Sequence, residues 1–100
     1  MEHYNVKISE QAFQDLDRIY AYIAHTLLEP ATAAGLLDRI EKAILSLEQL
    51  PYRCPERARG IYAGKGYRQL LMEHYTIIFR VSEQTKDVII VTVRHASSRF

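Results

Sequence analysis

Apolar residues recur along this chain with two different periods, and the change of period divides it into elements. Tyr4, Val6 and Ile8 alternate with Asn5 and Lys7, the period of a half-buried strand. From Ser9 onward the spacing lengthens. Ser9 is a good N-cap, Glu10 is favourable in a first turn, and Ala12, Leu16, Ile19, Ile23 and Leu27 recur at helical spacing. Pro30 suits the first turn of a second helix, whose stripe is Ala33, Leu37, Ile40, Ile44 and Leu47, closed by Pro51. Residues 51–66, PYRCPERARGIYAGKG, hold two of the three prolines and three of the four glycines and predict an irregular connection. Beyond it the period returns to two. Tyr67–Met72, Tyr75–Val81 and Val88–Val93 are rich in β-branched and aromatic residues, and Ser82–Asp87 is a polar turn, so an antiparallel meander is expected.

The order β-α-α-β-β-β predicts an α+β fold: a small twisted antiparallel sheet, joined by the opening strand, with a two-helix hairpin on one face. One hundred residues, 48% hydrophobic and 25% charged, suit a single domain over 1–100. The single cysteine, Cys54, excludes an internal disulfide, and the first residues, MEHYNVKIS, show no signal core or membrane-spanning length, so a cytoplasmic protein with no membrane partner is expected. The net charge of +1 conceals an asymmetry. Residues 1–52 hold four Lys/Arg against eight Asp/Glu, and 53–100 hold nine against four. A basic half on a balanced chain predicts a local patch for an acidic partner rather than a wholesale nucleic-acid coat.

Candidate chemistry gathers in the basic half. Arg53, Arg57, Arg59 and Lys65 cluster on the irregular connection, where they either meet a partner or are solvated. Arg68 and Arg80 either grip a phosphate or carboxylate, or pair with a helix acid such as Asp15, Asp17, Asp38 or Glu41. His95 can titrate near neutrality, though a lone histidine at a strand end is more often structural. His3, His25 and His74 are scattered, so no metal site is expected. No cofactor is indicated, since Gly64-Lys65-Gly66 is too short for a phosphate loop. Cys54 beside Arg53 is open to a lowered thiol pKa. The seven tyrosines read mainly as core-edge packing with a wet hydroxyl. Helix one carries apolar residues beyond its stripe, among them Phe13 and Tyr20, more than one sheet face needs.

The patterns ISEQAFQDLDRIYAYIA, AILSLEQLPYRCPE, RQLLMEHYTIIFRV and VIIVTVRHASSR together resemble the RelE/ParE toxins of bacterial type II toxin-antitoxin systems, over essentially the whole chain. The resemblance implies the fold just derived and two alternative activities: ribosome-dependent cleavage of mRNA, or growth inhibition through DNA gyrase without nuclease chemistry. Where the nuclease relatives carry a basic residue early in the third meander strand, this chain has Tyr75 or Thr76, and Ala96, Ser97 and Ser98 follow His95. These departures turn the expectation toward the ParE-like branch. A nuclease would have to use Arg68, Arg80, His95 and Tyr75. A gyrase inhibitor would offer Arg53, Arg57, Arg59, Lys65, Arg68, Arg94, Arg99 and Phe100, since ParE relatives use the chain end against their target. The resemblance further implies a cognate antitoxin whose disordered segment folds beside the hairpin and on the sheet edge, contacting Phe13, Tyr20, Leu27 and the exposed side of helix two, in an oligomeric complex. A non-toxic binding module of the same fold is the third reading.

Overall fold

The computed structural model describes residues 2–100. Strand β1 (Asn5–Ile8) leads to helix α1 (Glu10–Ala21), which loosens into a π-helical turn over Tyr22–Thr26, and helix α2 (Pro30–Leu45) follows. Short 3-10 turns at Ser46–Glu48 and Pro51–Arg53 precede β2 (Arg68–Met72), β3 (Tyr75–Ser82) and β4 (Asp87–His95). Ser9 caps α1 as expected, its Oγ accepting the Ala12 amide at 3.1 Å, and it also donates to the Val91 carbonyl at 2.9 Å. One hydroxyl therefore fixes both the helix start and its position over β4.

The sheet order is β1-β4-β3-β2. The meander pairs antiparallel as its pattern predicts, whereas β1 runs parallel to β4, with Asn5 opposite Asp87 and Ile8 opposite Ile90. The sheet is thus mixed at that edge rather than antiparallel throughout. The cause lies in the hairpin. The end of α2 returns to the start of β1, where the Tyr4 amide donates to the Glu48 carbonyl at 2.9 Å, so three further strands bring β4 back in the direction of β1.

Ala12, Ile23, Ala33, Leu36, Ile40, Ile44 and Leu47 from the helical layer pack on Ile77, Phe79, Val88, Ile90 and Val93 of one sheet face. Leu27 departs from its expected stripe and is exposed, because the π turn and the left-handed Leu28 swing the chain off the helical path; Leu36 takes up core space instead. Asp15, buried among these groups, accepts from the Thr92 hydroxyl, from the Val93 amide at 3.1 Å and from Gln11 Nε2 at 2.9 Å. It clamps α1 to β4. On the opposite sheet face stand Gln69, Leu71, Thr76, Ile78 and Arg80, and the chain after Cys54 pairs antiparallel along the outer edge of β2, Glu56 opposite Arg68, with the Gln69 amide donating to the Pro55 carbonyl and the Arg57 amide to the Tyr67 carbonyl.

Candidate functional site

Arg57 organises the site from within. Its side chain is only 7% exposed, and its guanidinium donates to the Arg59 carbonyl at 3.0 Å, to Gln69 Oε1 at 2.9 Å and to the Phe100 backbone oxygen at 3.3 Å. The last bond ties the end of the chain to the irregular connection. Arg57 also lies over the Phe100 ring, 4.3 Å from its centroid, and the Arg94 guanidinium stands 5.4 Å from the same centroid. Gly60 makes this approach possible. Its φ is +80°, and a Cβ there would fall 1.7 Å from the Phe100 oxygen, so only glycine admits the tail.

The segment leaving β4 is fixed by two short-range contacts. The Ala96 amide donates to the His74 carbonyl at 2.7 Å, and His95 Nδ1 accepts the Ser97 amide at 3.1 Å with the Ser97 hydroxyl 2.7 Å away. His95 therefore caps the tail turn. It also meets Tyr75 edge-on and lies parallel to the His74 ring. The result is an open cavity of 330 Å³ lined by Arg57, Arg59, Gly60 and the residues 96–100, with a second of 280 Å³ that shares Arg57, Arg59 and Ala96 and is otherwise lined by Ala58, Gln69, Leu71 and Thr76. No acidic side chain lines either one.

Charge is distributed unevenly across the molecule. Among the described residues, Lys7, Arg18, Arg39 and Lys42, every Lys or Arg of 1–52, stand beside a carboxylate. In 53–100 Lys86 alone does so, and Arg53, Arg57, Arg59, Lys65, Arg68, Arg80, Arg94 and Arg99 have no side-chain carboxylate partner. Three of the four acids of that half are in turn neutralised: Glu73 by Arg39, Glu83 by Lys86 and Asp87 by Lys7. The Arg39 guanidinium holds the Glu73 carboxyl below the usual range, and the Lys86 ammonium together with the Tyr4 hydroxyl holds Glu83 at about 2.

The eight target-binding candidates separate. Arg57, Arg59, Arg94, Arg99 and Phe100 meet at the site. Arg53 instead folds back on the link between the two 3-10 turns, donating to the Gln49 and Leu50 carbonyls, and Arg68 turns to the helix side, donating to the Cys54 carbonyl and lying over the Tyr52 ring. Lys65 is exposed on the loop. Neither Arg68 nor Arg80 pairs with Asp15, Asp17, Asp38 or Glu41; Asp15 holds Arg18, and Asp38 holds Lys42. The four nuclease candidates do not converge. Tyr75 and His95 are paired at one end of β3, Arg68 is opposite Phe79 four residues away, about 13 Å along the strand, and Arg80 is on the other sheet face.

Cys54 is corrected as well, since burial in the core pushes its thiol up, outweighing the cations Arg53 and Arg68. Among the described residues no three His, Cys, Asp or Glu side chains are grouped to hold a metal ion. Phe13, Tyr20 and Leu27 are all exposed. Phe13 lines a 340 Å³ groove with Ile8, Leu16, Leu37, Glu41, Ile44 and Leu45, a groove that Tyr20 and Leu27 do not reach. Gln69 and Gly60 escaped sequence reasoning. The glycine in a basic loop was the available signal for a close approach, but its partner lies 40 residues away.

A family model described as the ParE toxin of the type II toxin-antitoxin system, parDE, matches residues 6–100. Among solved structures, the chain resembles one from the chromosomal ParDE toxin-antitoxin system of P. aeruginosa, at 23% identity over 97% of this chain and 100% of that one, with a TM-score of 0.80. A chain of the RelBE2 toxin-antitoxin complex of Mycobacterium tuberculosis is 24% identical over 93% and 98%, with a TM-score of 0.62. One from the intact RelBE complex of E. coli is 11% identical over 95% and 99%, with a TM-score of 0.63. At these identities the structures speak for the fold. No curated protein matches the chain.

Proposed function

The chain belongs to the ParE toxin family of type II toxin-antitoxin systems, and from that premise we propose that this toxin inhibits DNA gyrase by binding it and is neutralised by a cognate antitoxin. The observation that carries the reading is the docked tail. Arg57, Arg59, Arg94 and Arg99 surround Phe100 at the end of the sheet without a side-chain carboxylate among them. Such a surface is built to bind an anionic partner and lacks an acid, base and nucleophile in mutual reach. Ribonuclease chemistry would need cations and a proton-transfer group on one face, and here Arg80 is across the sheet from Tyr75 and His95.

The antitoxin follows from the family and from apolar surface. The relatives from P. aeruginosa, M. tuberculosis and E. coli belong to toxin-antitoxin systems, two of them solved as complexes. Here the groove holding Phe13, Leu16, Leu37 and Leu45 offers an amphipathic segment its apolar seat, in a complex that we take to be oligomeric. The protein acts in the cytoplasm on this reading; none of the described helices is long and apolar enough to cross a membrane. Induction of the gene in a bacterial host tests the proposal. Filamentation and DNA damage with continuing protein synthesis are expected, whereas immediate translation arrest with cleaved message would replace gyrase by the ribosome.

A further inference from the structure

We propose that the surface centred on Arg57 is a binding site for the phosphodiester backbone of duplex DNA, contacted without reading the base sequence. The inference deepens the gyrase reading and rests on it for the source of the duplex, because gyrase works with DNA in hand. The chemistry comes from the site. Arg57 is 7% exposed, and its acceptors are the Arg59 carbonyl, Gln69 Oε1 and an oxygen of the terminal Phe100, with no side-chain carboxylate among them. Arg59 and Arg99 line the cavity beside it, Arg94 stands over Phe100, and the remaining lining is Gly60, Ala96, Ser97 and Ser98. The side chains are hydrogen-bond donors without an acid, as phosphate oxygens require.

Three features decide among polyanions. The two cavities, 330 and 280 Å³, share Arg57, Arg59 and Ala96 in their linings and together form a strip much larger than one phosphate ion. Single strands are held largely by bases stacking on free aromatic rings, and the aromatic of this site, Phe100, is already covered by guanidinium groups. An acidic protein would need an open apolar anchor at the centre of its interface, and the apolar ring of this cavity, Phe100, is already held against Arg57 and Arg94. What remains is a regularly charged backbone whose bases stay inside.

The test uses the purified toxin and a fluorescently labelled 20-base-pair duplex of arbitrary sequence, with anisotropy followed between 50 and 200 mM KCl. Engaging about three phosphates through Arg59, Arg94 and Arg99 predicts a log–log slope near −3 and a loss of roughly 40-fold in affinity across that range. The double variant Arg59→Gln/Arg99→Gln should bring the slope to about −1. Lys7→Gln/Lys42→Gln, which removes an equal charge from the Lys7–Asp87 and Lys42–Asp38 pairs, should leave it unchanged. Circular dichroism checks that the variants fold. No binding at 50 mM, a slope equal in both variants, tighter binding of single-stranded RNA, or equal competition by an acidic peptide would each overturn the assignment. Gyrase is absent from the assay, so this proposal and the target reading can fail separately.

Discussion

Two residues govern what the candidate site looks like, one through its backbone and the other through a buried carboxylate. Gly60 is held at φ +80° against the Phe100 oxygen. Gly60→Ala should therefore detach the tail, read as faster tryptic cleavage after Arg94 and Arg99, with a stability loss of about 1–2 kcal/mol for a non-glycine residue in that conformation; unchanged cleavage would mean that the tail is not held there. Asp15 does the equivalent for the scaffold. Asp15→Ala leaves the Val93 amide and Thr92 hydroxyl without their acceptor, and denaturant unfolding should show a loss of about 2–3 kcal/mol. At this scale the sequence was only half legible. The basic character of Arg57, Arg59, Arg94 and Arg99 could be read directly, but Arg53 and Arg68 looked the same and fold back toward the helix side. Backbone carbonyls of Gln49, Leu50 and Cys54 capture them, and side-chain capture by a backbone has no signature in a string of residues.

At the scale of elements, periodicity identified both helices and all four strands, because each buries one face against the same core. The π turn at Tyr22–Thr26 was not legible, since it keeps the composition of the helix it ends. Nor was the parallel partner of β1, a pairing across 82 positions between Asn5 and Asp87. The helical hairpin carries the clearest functional consequence. Phe13 is 55% exposed at the rim of the groove between α1 and α2, whereas Tyr20 lies outside that groove. Calorimetry with the antitoxin should show Phe13→Ala weakening the complex by tenfold or more, as for an anchor residue, and Tyr20→Ala having the smaller effect. Equal affinities for the wild type and Phe13→Ala would remove the groove from the interface.

For the whole molecule, the division of charge is the organising fact: ion pairs stitch the acidic half to the few acids of the basic half and leave the arginines around the tail unspent. The same stitching sets the response to pH. Glu83 is held at about 2, so its contribution is complete above the ordinary carboxyl value of about 4.3 and is lost as pH falls toward 2. Tyr4, which donates to Glu83 at 2.6 Å, is pushed up to about 12; its contribution is complete below the ordinary phenol value of about 10 and is lost as pH rises through 12. Thermal melts should show a plateau between these limbs. Glu83→Gln should flatten the alkaline limb and shallow the acid one, where Glu73 and Asp87 still contribute; identical curves for the two proteins would rule out this cluster as the cause.

The account as a whole rests on the tail surface meeting gyrase. Supercoiling and cleavage by purified gyrase, measured with the wild-type toxin, Arg59→Gln/Arg99→Gln and Gly60→Ala, address that claim most directly. Inhibition by the wild type, lost or reduced at least tenfold in both variants, is the predicted result. Undisturbed gyrase with the wild-type toxin, or equal inhibition by all three proteins, would contradict it.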